Sequence, residues 1–143
     1  MSREVKILVT TIIDYENEVK ETMSNQYSGV LYFKGNDCFL RYKDNPKQEL
    51  GNTWTIIKWN KYYTPYIVTL VRQGDIKMKQ VFQEGYTYLS EYKGPFGNIN
   101  LETITNDIAI IDNEDGGKIY LVYNMKISSQ ISGKYTLEVT YIG

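Results

Sequence analysis

Short β-prone runs, cut by glycine-centred turns about every ten residues, dominate this chain, and long helical periodicity is missing. This spacing constrains the fold most. A run of a few residues cannot bury its own backbone groups and must pair edge to edge with its neighbours. The pattern is cleanest near the C-terminus. Ile119, Leu121, Tyr123, Met125 and Ile127 fall on one face of a strand. Tyr135, Leu137, Val139 and Tyr141 share a face of the next, with Thr136, Glu138 and Thr140 opposite. Period-two alternation means that one face packs while the other meets solvent or a lumen.

Earlier runs cover residues 5–14, 18–33, 38–42, 53–59, 66–73, 76–82, 86–92 and 99–111. The second is longer and more polar, with an interruption near Gln26, and residues 19–24 also admit a short helix. Gly35-Asn36-Asp37, Gly74-Asp75 and Glu84-Gly85 read as tight turns, and Asp115-Gly116-Gly117 reads as a hairpin. Lys93-Gly94-Pro95 breaks the run before it. Asp44-Asn45-Pro46 opens a loop reaching Asn52, and Tyr62-Tyr63-Thr64-Pro65 forms a tyrosine-rich connection. Within 99–111 the apolar phase slips from odd positions (Ile99, Leu101) to even ones (Ile108, Ile110), as a β-bulge would make it do.

These features predict an all-β fold: a single antiparallel up-and-down β-barrel of about eight to ten strands over residues 1–143. Closure removes the sheet edges that so many β-prone strands would otherwise expose. Ile119, Leu121, Tyr123, Leu137, Val139 and Tyr141 are expected to face inward.

Composition bears on function mainly by exclusion. The chain has 143 residues, 42% hydrophobic and 23% charged, with net charge −1. Such a balance suits a folded globular chain and gives no global field toward nucleic acid or an anionic membrane. Partners of those two kinds are therefore not expected. Met1-Ser2-Arg3-Glu4 leads straight into a strand-like run without signal-peptide character, and one cysteine permits no internal disulfide. The expected location is the cytoplasm. Histidine is absent, which removes the usual general base of serine and cysteine hydrolases and, beside a single cysteine, the usual zinc ligands. No metal, cofactor or catalytic residue is expected, and no hydrolase or transferase activity. Carboxylate catalysis is the remaining enzymatic route. No carboxylate spacing suggests it, and Asp112, Glu114 and Asp115 read as a solvated hairpin.

The stretch 71–105 carries a family likeness. Its elements are Arg72-x-Gly74-x-Ile76-x-Met78, Phe82-x-x-Gly85, Tyr92-x-x-x-Phe96-Gly97 and Leu101-x-Thr103-x-Thr105. Weaker similarity runs from the first strand through Thr53-x-Thr55-Ile56-x-Lys58 to residues 119–125 and 135–141. In order and spacing the chain resembles the YwiB-like family of bacterial proteins of unknown function. The resemblance implies a calycin-like, lipocalin-type barrel of about eight antiparallel strands in an intracellular protein of a low-GC Gram-positive bacterium. It implies no activity and no catalytic residue.

One candidate site centres on Arg72, which shares strand parity with Tyr66, Val68 and Leu70. A guanidinium on an apolar face needs a partner. That partner is either a ligand carboxylate or phosphate inside the barrel, or a protein carboxylate such as Glu84 or Glu91. Lys77 and Lys79 alternate with Ile76 and Met78 and read as a solvated face. The rings of Tyr42, Trp54, Trp59, Tyr86, Tyr88, Tyr92 and Phe96 can line a ligand cavity or fill the barrel solidly. Cys38 reads as a small core residue. The functional expectation is a small, mostly apolar or aromatic anionic ligand, oriented by Arg72 and lined by Tyr42, Tyr88, Tyr92 and Thr55. The alternative is a barrel without ligand that uses an aromatic patch to form a homodimer or meet a partner protein, for which 14 tyrosines supply material.

Overall fold

In a computed structural model, residues 2–15, 20–44, 52–61, 64–95 and 97–143 are described. They build β1 (Ser2–Asp14), β2 (Lys20–Lys34), β3 (Asp37–Lys43), β4 (Thr53–Asn60) and β5 (Val68–Gly74). The chain continues through β6 (Met78–Phe82), β7 (Thr87–Gly94), β8 (Gly97–Asn113), β9 (Gly116–Ile127) and β10 (Gln130–Ile142). Together they form one ten-stranded sheet in the order β6-β5-β4-β3-β2-β1-β10-β9-β8-β7. Every ladder is antiparallel, and all but β1–β10 join strands consecutive in sequence. This is the up-and-down barrel the alternation predicts. Among the described residues no helix is long and apolar enough to cross a membrane, which says nothing of strands.

β1 organises the sheet. It pairs with β2 from Ser2↔Tyr32 to Asp14↔Lys20 and with β10 from Lys6↔Ile142 to Asp14↔Lys134. Its β-branched residues suit a central strand. That pairing also corrects the helical reading near residue 20. Residues 20–24 lie in β2, because β1 offers a ladder for every one of them, and Thr10 and Ser24 add a hydroxyl contact at 2.8 Å. Val19, like the 45–51 loop, Tyr62, Tyr63 and Phe96, lies outside the described residues.

The phase slip in β8 is a bulge. Thr105 pairs with Tyr123 but Asp107 with Val122, so Asn106 is the extra residue, and its amide donates to Asn124 Oδ1 at 2.6 Å. Thr103 and Thr105 face inward before the bulge and Ile108 after it, all three buried. At the β9 start, Gly117 meets the buried Tyr141 ring: an added Cβ would stand 2.3 Å from the phenol oxygen. Glycine here is a packing requirement.

The sheet's two ends, β6 and β7, meet without a regular ladder. A single bridge joins Lys77 and Lys93, with N–H···O distances of 2.8 and 2.9 Å. The remaining closure reaches past β7 to β8. Gln80 Nε2 donates to Thr103 Oγ1 at 3.1 Å, Ile108 N donates to Glu84 Oε1 at 2.9 Å, and Gly85 N donates to Thr105 O at 3.0 Å. Gln80 is buried, so its loss leaves the seam a partner short. Gln80→Ala should lower unfolding free energy by about 1–3 kcal/mol in urea melts. Faster hydrogen exchange is expected in β6 than in β1.

Inward side chains divide the barrel into two halves. In one, Leu31, Leu40, Ile57, Trp59, Phe82 and Ile119 are almost wholly excluded from solvent. Cys38 packs there too, its thiol pushed up to about 11 chiefly by burial. All six residues expected to face inward on β9 and β10 are buried. The other half is open inside, so the rings pack solidly at one end only, and Tyr42 and Tyr92 border open space at the other.

Candidate functional site

A cavity of about 850 Å³ occupies the second half of the barrel. Strand parity decides what lines it. On β5 the inward series Val68, Leu70, Arg72 runs from the packed half into the cavity, and on β3 the series Leu40, Tyr42, Asp44 does the same just past the strand end. β1 supplies Val9, Thr11 and Ile13, and β9 supplies Tyr123, Met125 and Ile127. Met23 and Ile99, each 38% exposed, stand at its rim.

The polar groups gather on the wall made by β2 to β5. Arg72 pairs in register with Thr55, Thr55 with Tyr42, and Tyr42 with Gly29. An added Cβ at Gly29 would meet Arg41 O and Ile7 Cδ1 at 2.5 Å and Tyr42 Cβ at 3.1 Å, so glycine is a packing requirement beside this wall. Asp44 is 1% exposed. Its Oδ2 accepts from Thr55 Oγ1 at 3.0 Å, and the Tyr27 hydroxyl also hydrogen-bonds it. The Tyr27 and Tyr42 rings stack at 4.5 Å between centroids.

Burial raises the Asp44 carboxyl above the usual carboxylate range; Thr55, Arg72 and Tyr27 pull the other way. Tyr42 is pushed up to about 12 by burial, against the nearby Arg72 charge. Tyr27 and Tyr123 are raised for the same first reason. These phenols therefore stay protonated near neutrality and act as hydrogen-bonding groups. The opposite wall carries Gln80, bonded to Thr103 and 3.6 Å from Met125 Sδ. Tyr123 and Tyr135 stack at 5.3 Å, and the Tyr135 hydroxyl contacts Ser132 Oγ at 2.7 Å.

Arg72 is the anomaly. Its Nε is buried without a hydrogen-bond partner. None of the ion pairs among the described residues includes it. Neither carboxylate considered from sequence is seen to hold it: Glu84 accepts from the Ile108 amide, and Glu91 is exposed on β7.

Of the residues expected at a site, Arg72, Tyr42 and Tyr92 line the cavity. Thr55 does not line it; fully buried on the inward face of β4, it donates to Asp44. Tyr88 is half-buried and also lies outside the lining. Trp59 belongs to the packed half, while Tyr86 is 63% exposed. Trp54 faces outward, with Arg41 and Lys43 at 5.1 and 5.8 Å from its ring centre. Lys77 and Lys79 are exposed. Asp44, Tyr27 and Gln80 escaped sequence reasoning. Asp44 continues the inward parity of Leu40 and Tyr42, a signal masked by the turn-like Asp-Asn-Pro that it opens. Among the described residues no cluster of histidine, cysteine and carboxylates has the makings of a metal centre.

A family model described as a domain of unknown function (DUF1934) matches residues 7–139. The uncharacterized beta-barrel protein YwiB of Bacillus subtilis (strain 168) is 27% identical over 139 residues, spanning 97% of this chain and 93% of that protein. The crystal structure of the ywiB protein from Bacillus subtilis matches the fold with a TM-score of 0.84, at 27% identity, over 99% of this chain and 92% of that one.

Proposed function

The chain belongs to the DUF1934 family, whose description assigns no function, and from that premise we propose that its barrel binds a small, mostly apolar or aromatic molecule carrying an anionic group. One observation carries this reading: a guanidinium with a buried, unpartnered Nε faces a cavity of about 850 Å³. A guanidinium without a direct ion pair among the described residues favours an anion in the space it faces. The volume falls within the ~300–1,000 Å³ typical of ligand pockets, whose walls are largely apolar with few polar groups. Leu70, Leu101 and Leu137 supply apolar wall here, and Met78 and Met125 adapt to ligand shape.

This reading keeps the barrel lipocalin-like in use and cytoplasmic in location, in keeping with one buried free thiol. Self-association through aromatic rings has less support. On the outer face Trp54 lies beneath two cations, and Phe39 is stacked between Tyr32 and Lys58. Those rings are already engaged within the sheet.

Native mass spectrometry of freshly purified protein tests the proposal. The expected spectrum contains an added mass that disappears on acid unfolding. An unadorned spectrum, together with no binding of 1-naphthalenesulfonate, would leave the barrel without a ligand role.

A further inference from the structure

We infer that the cavity selects singly charged anions, and that Asp44 takes up one proton from solvent when such an anion binds. This rests on the ligand-binding reading above and specifies its chemistry.

The charge inventory motivates it. Arg72 and Asp44 are the only charged side chains lining the cavity among the described residues. They make no direct ion pair, yet each lies within the other's field. Asp44 is faced by Tyr27 from β2, Tyr42 from β3, Thr55 from β4 and Arg72 from β5. Arg72 is the one cation in this set. The phenols and the hydroxyl offer hydrogen bonds but no charge to offset a second anion.

An anion that engages Arg72 therefore withdraws from Asp44 its only compensating charge among the described residues and places a like charge nearby. Two negative charges beside one half-buried cation are unfavourable in a medium of low dielectric. The carboxyl is the group able to respond. Burial already disposes it toward the neutral form, and protonation relieves the excess. The wall then holds one cation and one anion. A dianion, such as a phosphate monoester above its second ionisation or a dicarboxylate, leaves a surplus negative charge even after Asp44 is neutral. Such ligands are rejected.

Two isosteric probes separate these cases. 1-Naphthalenesulfonate keeps one charge at all working pH values, while 1-naphthyl phosphate gains its second charge near pH 6. At pH 5 the two should bind comparably. At pH 8 the sulfonate should bind at least about tenfold more tightly than the phosphate, one unit of pKa being a tenfold change. Above the Asp44 pKa, sulfonate affinity should fall by up to about tenfold per pH unit, since binding then requires a proton. Calorimetry of the native chain in two buffers of different ionisation enthalpy should register close to one proton taken up at pH 8. Asp44→Asn should bind the sulfonate with no pH dependence and no proton uptake. If that variant does not fold, the buffer comparison on the native chain decides alone. Sulfonate binding that depends on Arg72 but not on pH, or phosphate binding as tight as sulfonate at pH 8, overturns this inference and leaves the ligand-binding reading standing. Failure of both probes at every pH overturns this inference and, together with an unadorned native spectrum, the ligand-binding reading as well.

Discussion

Trp59→Ala should lower the free energy of unfolding by about 3–5 kcal/mol, the range for emptying a packed core of an aromatic side chain. Trp59 is 1% exposed and lies 5.8 Å from Tyr141, between ring centres, where β4 and β10 meet across the interior. Its neighbours Leu40, Ile57 and Val68 are equally buried and sit on three separate strands. They are held by ladders and cannot collapse into the void, so cavity cost adds to lost transfer energy. Met125→Ala is the control. Met125 borders open space, so its removal enlarges an existing cavity and should cost well under half as much. Urea melts followed by circular dichroism measure both. Equal losses would show that the two halves do not differ in packing as described.

The second large effect is on binding. Arg72→Gln should weaken 1-naphthalenesulfonate binding by about 10–100-fold, the scale of a charge-assisted hydrogen bond. Stability in the absence of ligand should change by less than about 2 kcal/mol. The guanidinium makes no direct ion pair among the described residues and its Nε is desolvated without return, so a neutral amide removes that cost, while Asp44 loses the favourable field Arg72 supplied. Titration and a thermal melt on the same preparation separate the two quantities. A loss of more than about 2 kcal/mol in the melt would instead make Arg72 a structural residue, since breaking a buried ion pair costs about 3–5 kcal/mol.

The seam belongs with both results. β6 provides Met78 and Gln80 to the cavity and β7 provides Tyr92, so the least regular closure of the barrel lies along the cavity wall. Side-chain bonds from Gln80 and Glu84 replace ladder bonds there. Local opening is favoured where few backbone bonds must break.

Much of the fold was legible because side-chain alternation and strand pairing obey the same period of two. Ile119 to Ile127 and Tyr135 to Tyr141 announced two inward faces, and the odd-to-even slip after Leu101 announced a bulge, found at Asn106. The ordered glycines of residues 71–105 announced the family, which the whole-chain match to YwiB bears out. The first half of β2 was harder. Residues 20–26 are exposed, with no apolar period to read, and only the ladder along β1 makes them strand.

The candidate site was legible residue by residue but not as a group. Parity placed Arg72 and Tyr42 inward, and Tyr92 with them. It could not separate Tyr88 from Tyr92, which share parity on β7, nor tell that Thr55 donates to a carboxylate. Asp44 and Tyr27, 17 positions apart by number, meet only because β2 and β3 are neighbours in the barrel.

Sequence alone determined the class of fold, the faces of most strands and the presence of a charge needing a partner, because each follows from local period and composition. Only the tertiary structure decided that one end is packed and the other hollow, and that Arg72 makes no direct ion pair among the described residues. Both depend on how far opposite walls stand apart once ten strands close, a distance that no single strand encodes.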